Sequence, residues 1–202
     1  MQSDLPFSQA CENNKDAILA VLARVFGDRR NVLEIGSGTA QHAVHFARAL
    51  THLSWQPTEL PVSLSVPASR IDRYEGDNLL PLQPLDVYTR PWSVAPADAV
   101  FSANSLHIMP FDAVESLFAE LSVWSPADAV LAIYGPFNYG GAYTSESNAH
   151  FDQWLAARDA RSAIRDFEAV DALAANAGFN LEEDNEMPAN NRLLVWRRPA
   201  GS

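Results

Sequence analysis

Three acidic side chains, Glu34, Glu59 and Asp86, each stand at or just past the end of a short apolar run. The first is followed by two glycines, Gly36 and Gly38. Glycines at that spacing let a backbone turn sharply after a strand and come close to a ligand. The turn is not a phosphate-binding P-loop, because the chain has no G-x-x-x-x-G-K-[ST]. The dinucleotide fingerprint G-x-G-x-x-G fails as well, with Gln41 at the third glycine position. What remains is Glu34-x-Gly36-x-Gly38-x-Ala40, its acid two residues before the first glycine.

An acid there suits an ammonium or hydroxyl groups, and the amides opening the next helix suit a carboxylate. S-adenosylmethionine offers an ammonium, a carboxylate and a ribose diol, and it carries no phosphate. Glu59 falls roughly twenty residues on, where a ribose-binding acid is expected. Asp86 is placed to accept from an adenine amino group. On the glycines alone, a plain strand-to-helix turn explains the pattern about as well. The three acids at strand ends favour the ligand.

Other side chains are candidates for the chemistry itself. His107 follows the fourth predicted strand and has a type suited to general-base work; the alternative is a histidine that stabilises the loop. Tyr134 ends the fifth strand, either aiming its hydroxyl into a cleft or capping the core. Asn104 is a candidate cofactor contact. Asn14 and Lys15 reach the substrate or the cofactor carboxylate if the N-terminal segment folds over the cleft; otherwise they form the solvated first turn of a helix. Asn148, Asn190 and Asn191 sit in two loops expected at the same opening, for turns or for a polar substrate. His42 and His45 have no third ligand in view and read as helix-surface residues, so no metal site is expected. Cys11, the single cysteine, reads as an inert thiol.

Positioning these groups requires a particular set of elements. Ala17, Ile18, Val21, Leu22, Val25 and Phe26 recur at helical spacing and predict a helix over 13–26. Strands are predicted at 32–35, at 53–56 with a stop at Pro57, at 84–87, at 99–103 and at 129–134. Helices are predicted after the glycines, around 69–74, through Val114 to Trp124, and twice after the glycine- and aromatic-rich loop 135–147. FNLEE and RLLVW, separated by DNEMPANN, read as a closing antiparallel pair. Alternating strands and helices imply a parallel sheet covered on both faces.

The chain has 202 residues, 48% of them hydrophobic, enough for one sizeable core and one domain. A formal net charge of −11, with 14 basic residues against 25 acids, leaves no basic surface for a nucleic-acid backbone. No apolar run reaches membrane-spanning length and no signal peptide is visible, so a cytoplasmic protein is expected.

With these features together, the chain resembles a class I S-adenosylmethionine-dependent methyltransferase, and more narrowly the methyltransferase-like 26 family. The likeness runs through ENNKDAIL, EIGSGTAQHAVHFA, LSWQPTE, LDV, ANSLHIMPFDA, YGPF, TSESNAHFD, RDFEAV and MPANN, with SNAHFD and MPANN as its specific markers. It implies a doubly wound, mostly parallel seven-stranded α/β sheet, Rossmann-like, with a C-terminal antiparallel hairpin. It implies cofactor contacts at Glu34, Gly36, Ser37, Gly38, Gln41, Glu59, Asp86 and Val87. Two departures stand out. Ala40 replaces the usual third glycine, which narrows the cofactor cleft by a methyl, and ARSAIRD lacks the usual tryptophan and glycine before its Arg-Asp pair.

The expectation is therefore one methyltransferase-like domain over 1–202, with an N-terminal helical segment over 1–30 and a lid-like insertion over 135–165. S-adenosylmethionine is the expected cofactor and a small molecule the expected acceptor, with neither nucleic acid nor membrane as partner, in a monomer or homodimer. A non-catalytic S-adenosylmethionine-binding protein acting through a partner is the alternative. A nicotinamide oxidoreductase is disfavoured by Gln41.

Overall fold

A computed structural model of the chain describes residues 5–201. In chain order the elements are α1 (Gln9–Val25), β1 (Asn31–Ile35), α2 (Gln41–Ala49), β2 (Ser54–Glu59), α3 (Ser65–Ile71), β3 (Gln83–Pro84), β4 (Ala99–Ala103) and α4 (Phe111–Trp124). There follow β5 (Val130–Gly135), β6 (Phe137–Asn138), α5 (Glu146–Arg158), β7 (Arg165–Asp166), α6 (Phe167–Asn176), β8 (Asn180–Met187) and β9 (Asn191–Arg197). Seven strands form one sheet in the order β3-β2-β1-β4-β5-β9-β8. All its pairings are parallel except those of β9, which runs antiparallel to both β5 and β8. From β1 the chain winds outward to β3, then returns to place β4 on the other side of β1. That reversal opens a crevice at the carboxyl ends of β1 and β4.

β1, β4 and β5 read as continuous apolar runs because both of their faces are covered. On one face Ile18 and Leu22 of α1 and Phe46 of α2 pack with Trp55, Phe101 and Leu193. On the other, Val114, Leu117 and Phe118 of α4 and Val170 of α6 pack with Leu33, Val100 and Trp196.

Several boundaries differ from the sequence-based expectation. β2 runs through Pro57 to Glu59. The Thr58 hydroxyl donates to the Glu34 carbonyl at 2.7 Å, a side-chain tie to β1 next to the residue that has no N–H to give. α3 starts at Ser65 and holds Pro67 in its first turn, where a missing N–H costs nothing. β3 is only two residues long, so Asp86 and Val87 lie just beyond it instead of ending it. β8 continues through the acidic stretch to Met187. It is a polar edge strand, and Glu182 and Glu183 pair with Arg197 and Arg24. Inside the expected loop 135–147, Phe137–Asn138 pairs in parallel with Arg165–Asp166 as a separate two-stranded sheet.

Candidate active site

Gly36 and Gly38 take φ of +74° and +56°, turning the chain out of β1 and into α2. A Cβ on Gly36 would meet Ser105 Oγ at 2.8 Å, whereas one on Gly38 would meet nothing within 4 Å. The first glycine is demanded by the close approach of the loop after β4. The second leaves free space along the turn. Ala40 also takes the left-handed region, φ 57°, as the residue preceding α2. It is fully buried in the cluster beneath α1 and α2, so its methyl lies in the core and does not narrow the cleft.

Glu34 is 2% exposed. One of its oxygens accepts from Ser37 Oγ at 2.9 Å and from the Trp55 indole N–H at 3.0 Å. Burial pushes its pKa up to about 7, against those two donors and with Glu59 adding to the rise. Glu59, at the end of β2, accepts from the backbone N–H of Gly38 at 2.7 Å and of Leu60 at 2.9 Å. Its carboxylate thus bridges β2 and the glycine turn. Asp86 accepts from the Tyr88 N–H at 3.0 Å and lines a cavity of about 90 Å³ with Thr89 and Trp92, while Val87 is buried. Asn104, φ 54°, donates its backbone N–H to the Tyr134 carbonyl at 2.9 Å, joining the ends of β4 and β5.

The first turns of α1 lie over the same edge. Gln41 is buried, and its side chain is engaged by this segment: it accepts from the Ser8 N–H at 2.6 Å and donates to Glu12 at 2.6 Å. Arg70 of α3 donates to the carbonyls of Thr39 and Pro6. Lys15 pairs with Glu12. Asn14 is 4% exposed, and its Oδ1 lies 2.7 Å from His42 Nε2. His42 is therefore a buried partner of α1, not a helix-surface residue; its ring stacks on Phe46, and burial drives its pKa down to about 4. His45 is half-buried beside Asp16. Cys11 is partly exposed, and burial raises its thiol pKa.

Tyr134 is 3% exposed, and burial raises the pKa of its phenol, with Asn14 and Asn191 opposing the rise. Asn148 is buried at the start of α5 and donates to Thr144 Oγ1 at 3.0 Å and to the Asn190 carbonyl at 3.2 Å. Asn190 in turn donates to Ser147 at 3.3 Å. The loops before α5 and before β9 are thus tied to each other. Asn190 and Ala189 both take positive φ in the turn between β8 and β9.

His107 lies on the far side of β5, 3.6 Å from where a Cβ on Gly135 would stand, with the Phe151 ring edge-on to it. Burial first, then the Arg165 charge, takes its pKa down to about 4. Arg165 is buried, and its guanidinium donates to the Leu106, Met109 and Arg161 carbonyls, pinning the loop that carries His107.

The structure thus gathers Glu34, Gly36, Ser37, Gly38 and Glu59 at one end of the sheet, with Asn14 and Tyr134 beside them under α1. It sets His107 apart. The aromatics of 135–151 divide as well: Phe137 completes the core, Tyr139 stacks on Phe167, and Tyr143 is exposed on Asp152. Their packing partners lie far off in sequence. Ser8, Glu12 and Arg165 were not expected here and His42 was expected on the surface, since nothing local marks a side chain whose partner is 28 or 59 residues away. Among the described residues, no group of histidine, cysteine and acids stands where it could hold a metal ion, and no helix is long and apolar enough to cross a membrane.

A family model described as "Protein of unknown function (DUF938)" matches residues 5–198. The fold is that of S-adenosylmethionine-dependent methyltransferases. An O-methyltransferase family protein from Burkholderia thailandensis superposes with a TM-score of 0.81 at 15% identity, over 93% of this chain and 57% of that one. The S-adenosylmethionine-dependent methyltransferase SibL gives 0.77 at 20% identity, over 94% and 56%. Human N-acetylserotonin methyltransferase, in a complex with S-adenosylmethionine, gives 0.73 at 11% identity, over 92% and 55%. This chain spans a little over half the length of these neighbours.

Proposed function

This chain belongs to the DUF938 family of unknown function, and we propose that it is an S-adenosylmethionine-dependent methyltransferase acting on a small molecule. The observation that carries the reading is the Glu59 carboxylate held against the Gly38 N–H, beside buried Glu34, at the switch point of the sheet. The narrower likeness to the methyltransferase-like 26 family rests on its sequence markers.

The residues present fit the cofactor. Gly38 leaves room along the turn, and Glu34 has a second oxygen free to accept among the described residues. Glu34 would hold the ammonium, Glu59 the ribose hydroxyls, and Asp86 with Val87 the adenine edge. Ser37 and Gln41 set the turn, Ser37 by donating to Glu34 and Gln41 by clamping α1. When bound, S-adenosylmethionine supplies an electrophilic methyl group.

Asn104 is proposed as a further cofactor contact, and Asn14, Lys15, Asn148, Asn190 and Asn191 are proposed to bound the space in which an acceptor is oriented. Holding the reactants in contact supplies much of the rate in such a displacement. His107, with a pKa of about 4, is poorly matched to taking a proton near neutrality, so the reading leans on proximity and not on that base. That N-acetylserotonin, named in one neighbour, is a small molecule is in keeping with a small acceptor here.

Calorimetry tests the proposal. Adenosylmethionine and adenosylhomocysteine are expected to bind and NADH is not; binding of NADH alone would overturn it. Glu59→Ala should weaken adenosylhomocysteine by roughly 1.5–3 kcal/mol, the worth of one hydrogen bond to a charged group. The second reading, a binding module without turnover, is favoured by one observation: the loops carrying Asn148 and Asn190 are tied to each other. Methyl release from adenosylmethionine in the presence of a metabolite extract, absent in Glu59→Ala, decides for the enzyme.

A further inference from the structure

The segment leading into α1 is held by polar side chains. Residues 5–10 are all exposed or half-buried, and Phe7 is 63% exposed, so burial does not fix them. Gln41 grips the Ser8 peptide at both of its polar groups. Its Oε1 accepts from the Ser8 N–H at 2.6 Å, and its Nε2 donates to the Ser8 carbonyl at 3.2 Å. The other amide hydrogen goes to Glu12 at 2.6 Å, and the other lone pair accepts from the Thr39 hydroxyl at 2.9 Å. All four hydrogen-bonding positions of the Gln41 amide are thus taken up by the segment and the turn. Arg70 of α3 makes a second clamp, with Nε on the Thr39 carbonyl at 2.8 Å and Nη2 on the Pro6 carbonyl at 2.6 Å.

Both clamps close on Thr39, the neighbour of Gly38, whose N–H is held by Glu59. The segment and the proposed ligand therefore share one turn. Gln41 also stands where the dinucleotide fingerprint has a glycine for close helix–strand packing, and here that position carries the clamp. We infer that residues 5–12 are a releasable strap, docked on the glycine turn by Gln41 and Arg70 as positioning residues, and that its docking sets how long a nucleoside ligand stays in the site. A segment held by exposed polar contacts opens locally, without unfolding the sheet. Ser8 caps α1, its hydroxyl accepting from the Cys11 N–H at 3.4 Å, so release frays the first turn and frees Glu12 with it. Buried Asn14 and Ile18 keep the remainder of α1 in place. The inference rests on the cofactor reading above and adds a gate to it.

Strap docking and ligand binding are then linked, and the linkage is reciprocal: the ligand must steady the strap as much as the strap steadies the ligand. The probe is adenosylhomocysteine, with its rates read by surface plasmon resonance. Gln41→Leu keeps the bulk and removes all four bonds, whereas Arg70→Ala, at a partly exposed position, removes only the second clamp. Gln41→Leu should raise the dissociation rate roughly tenfold with a smaller change in association, and Arg70→Ala should move it in the same direction. The double variant should lose little more than Gln41→Leu alone, because both side chains act through one strap. In the wild type, adenosylhomocysteine should slow exchange of the Ser8 amide hydrogen, read by NMR, by the same factor as Gln41→Leu weakens affinity. That measurement needs no variant, and an inert tie would leave the Ser8 amide unmoved by ligand. Unchanged dissociation in both variants, or Ser8 exchange indifferent to ligand, overturns the inference while the cofactor reading stands. If adenosylhomocysteine binds neither wild type nor variants, the cofactor reading fails and the strap inference falls with it.

Discussion

Glu34 is pushed up to about 7 because burial withholds water from its carboxylate, while His42 and His107 are held near 4 for the same reason acting on the opposite charge. The signs differ. For Glu34 the stability linked to its proton is present below about 4.5 and lost as pH rises through about 7. For the two histidines it is present above 6.5 and lost as pH falls through about 4. Glu34→Gln, which can still accept from Ser37 and Trp55, should therefore stabilise the ligand-free protein by on the order of 2 kcal/mol at about pH 8. At about pH 4.5 the gain should vanish. Urea denaturation at the two pH values checks it, and an equal gain at both would remove the burial argument. The acids were legible in sequence because each stands where an apolar run stops. The His42–Asn14 pair was not, because only the packing of α1 on α2 brings it together.

At the scale of elements, the turn between β1 and α2 carries three left-handed residues, Gly36, Gly38 and Ala40, within five positions. Gly36→Ala meets both an unfavourable φ and Ser105 Oγ, so it should cost about 2 kcal/mol or more in unfolding free energy. Gly38→Ala meets only the φ and should cost about 1–2 kcal/mol. Ser105→Gly should recover part of the first loss and none of the second, and thermal denaturation of the four variants reads the difference. The strands that failed to read correctly failed for local reasons. Pro57 signals a break that a side-chain bond makes unnecessary, and the acids of β8 resemble a loop because that strand lies at the sheet's edge. β6 and β7, two residues each, are too short for any periodicity to register.

For the molecule as a whole, the alternation of strands and helices was enough to predict a doubly wound sheet with a reversed terminal hairpin, and the strand order bears this out. The proposed site draws on segments spread from Ser8 to Asn190, so a ligand seated there would draw on the entire fold. Adenosylhomocysteine at a hundredfold excess over its Kd should then add about 2.7 kcal/mol to the unfolding free energy. For a chain of this size that raises Tm by roughly 5–10 °C. A scanning-fluorimetry titration checks it; a single unshifted transition at saturation would mean that binding is not coupled to the global fold.

The parallel pairing of Phe137–Asn138 with Arg165–Asp166 brings both ends of a long excursion together before the chain goes on. Doubling the length of a flexible excursion closed in this way costs only about 0.6 kcal/mol. The β6–β7 clip is thus a socket. Descent with modification can lengthen, shorten or exchange what lies between the two strands, Asn148 and Phe151 included, while the sheet and its glycine turn are inherited intact. Related chains that share the turn but differ in this interval would be the natural record of such exchange.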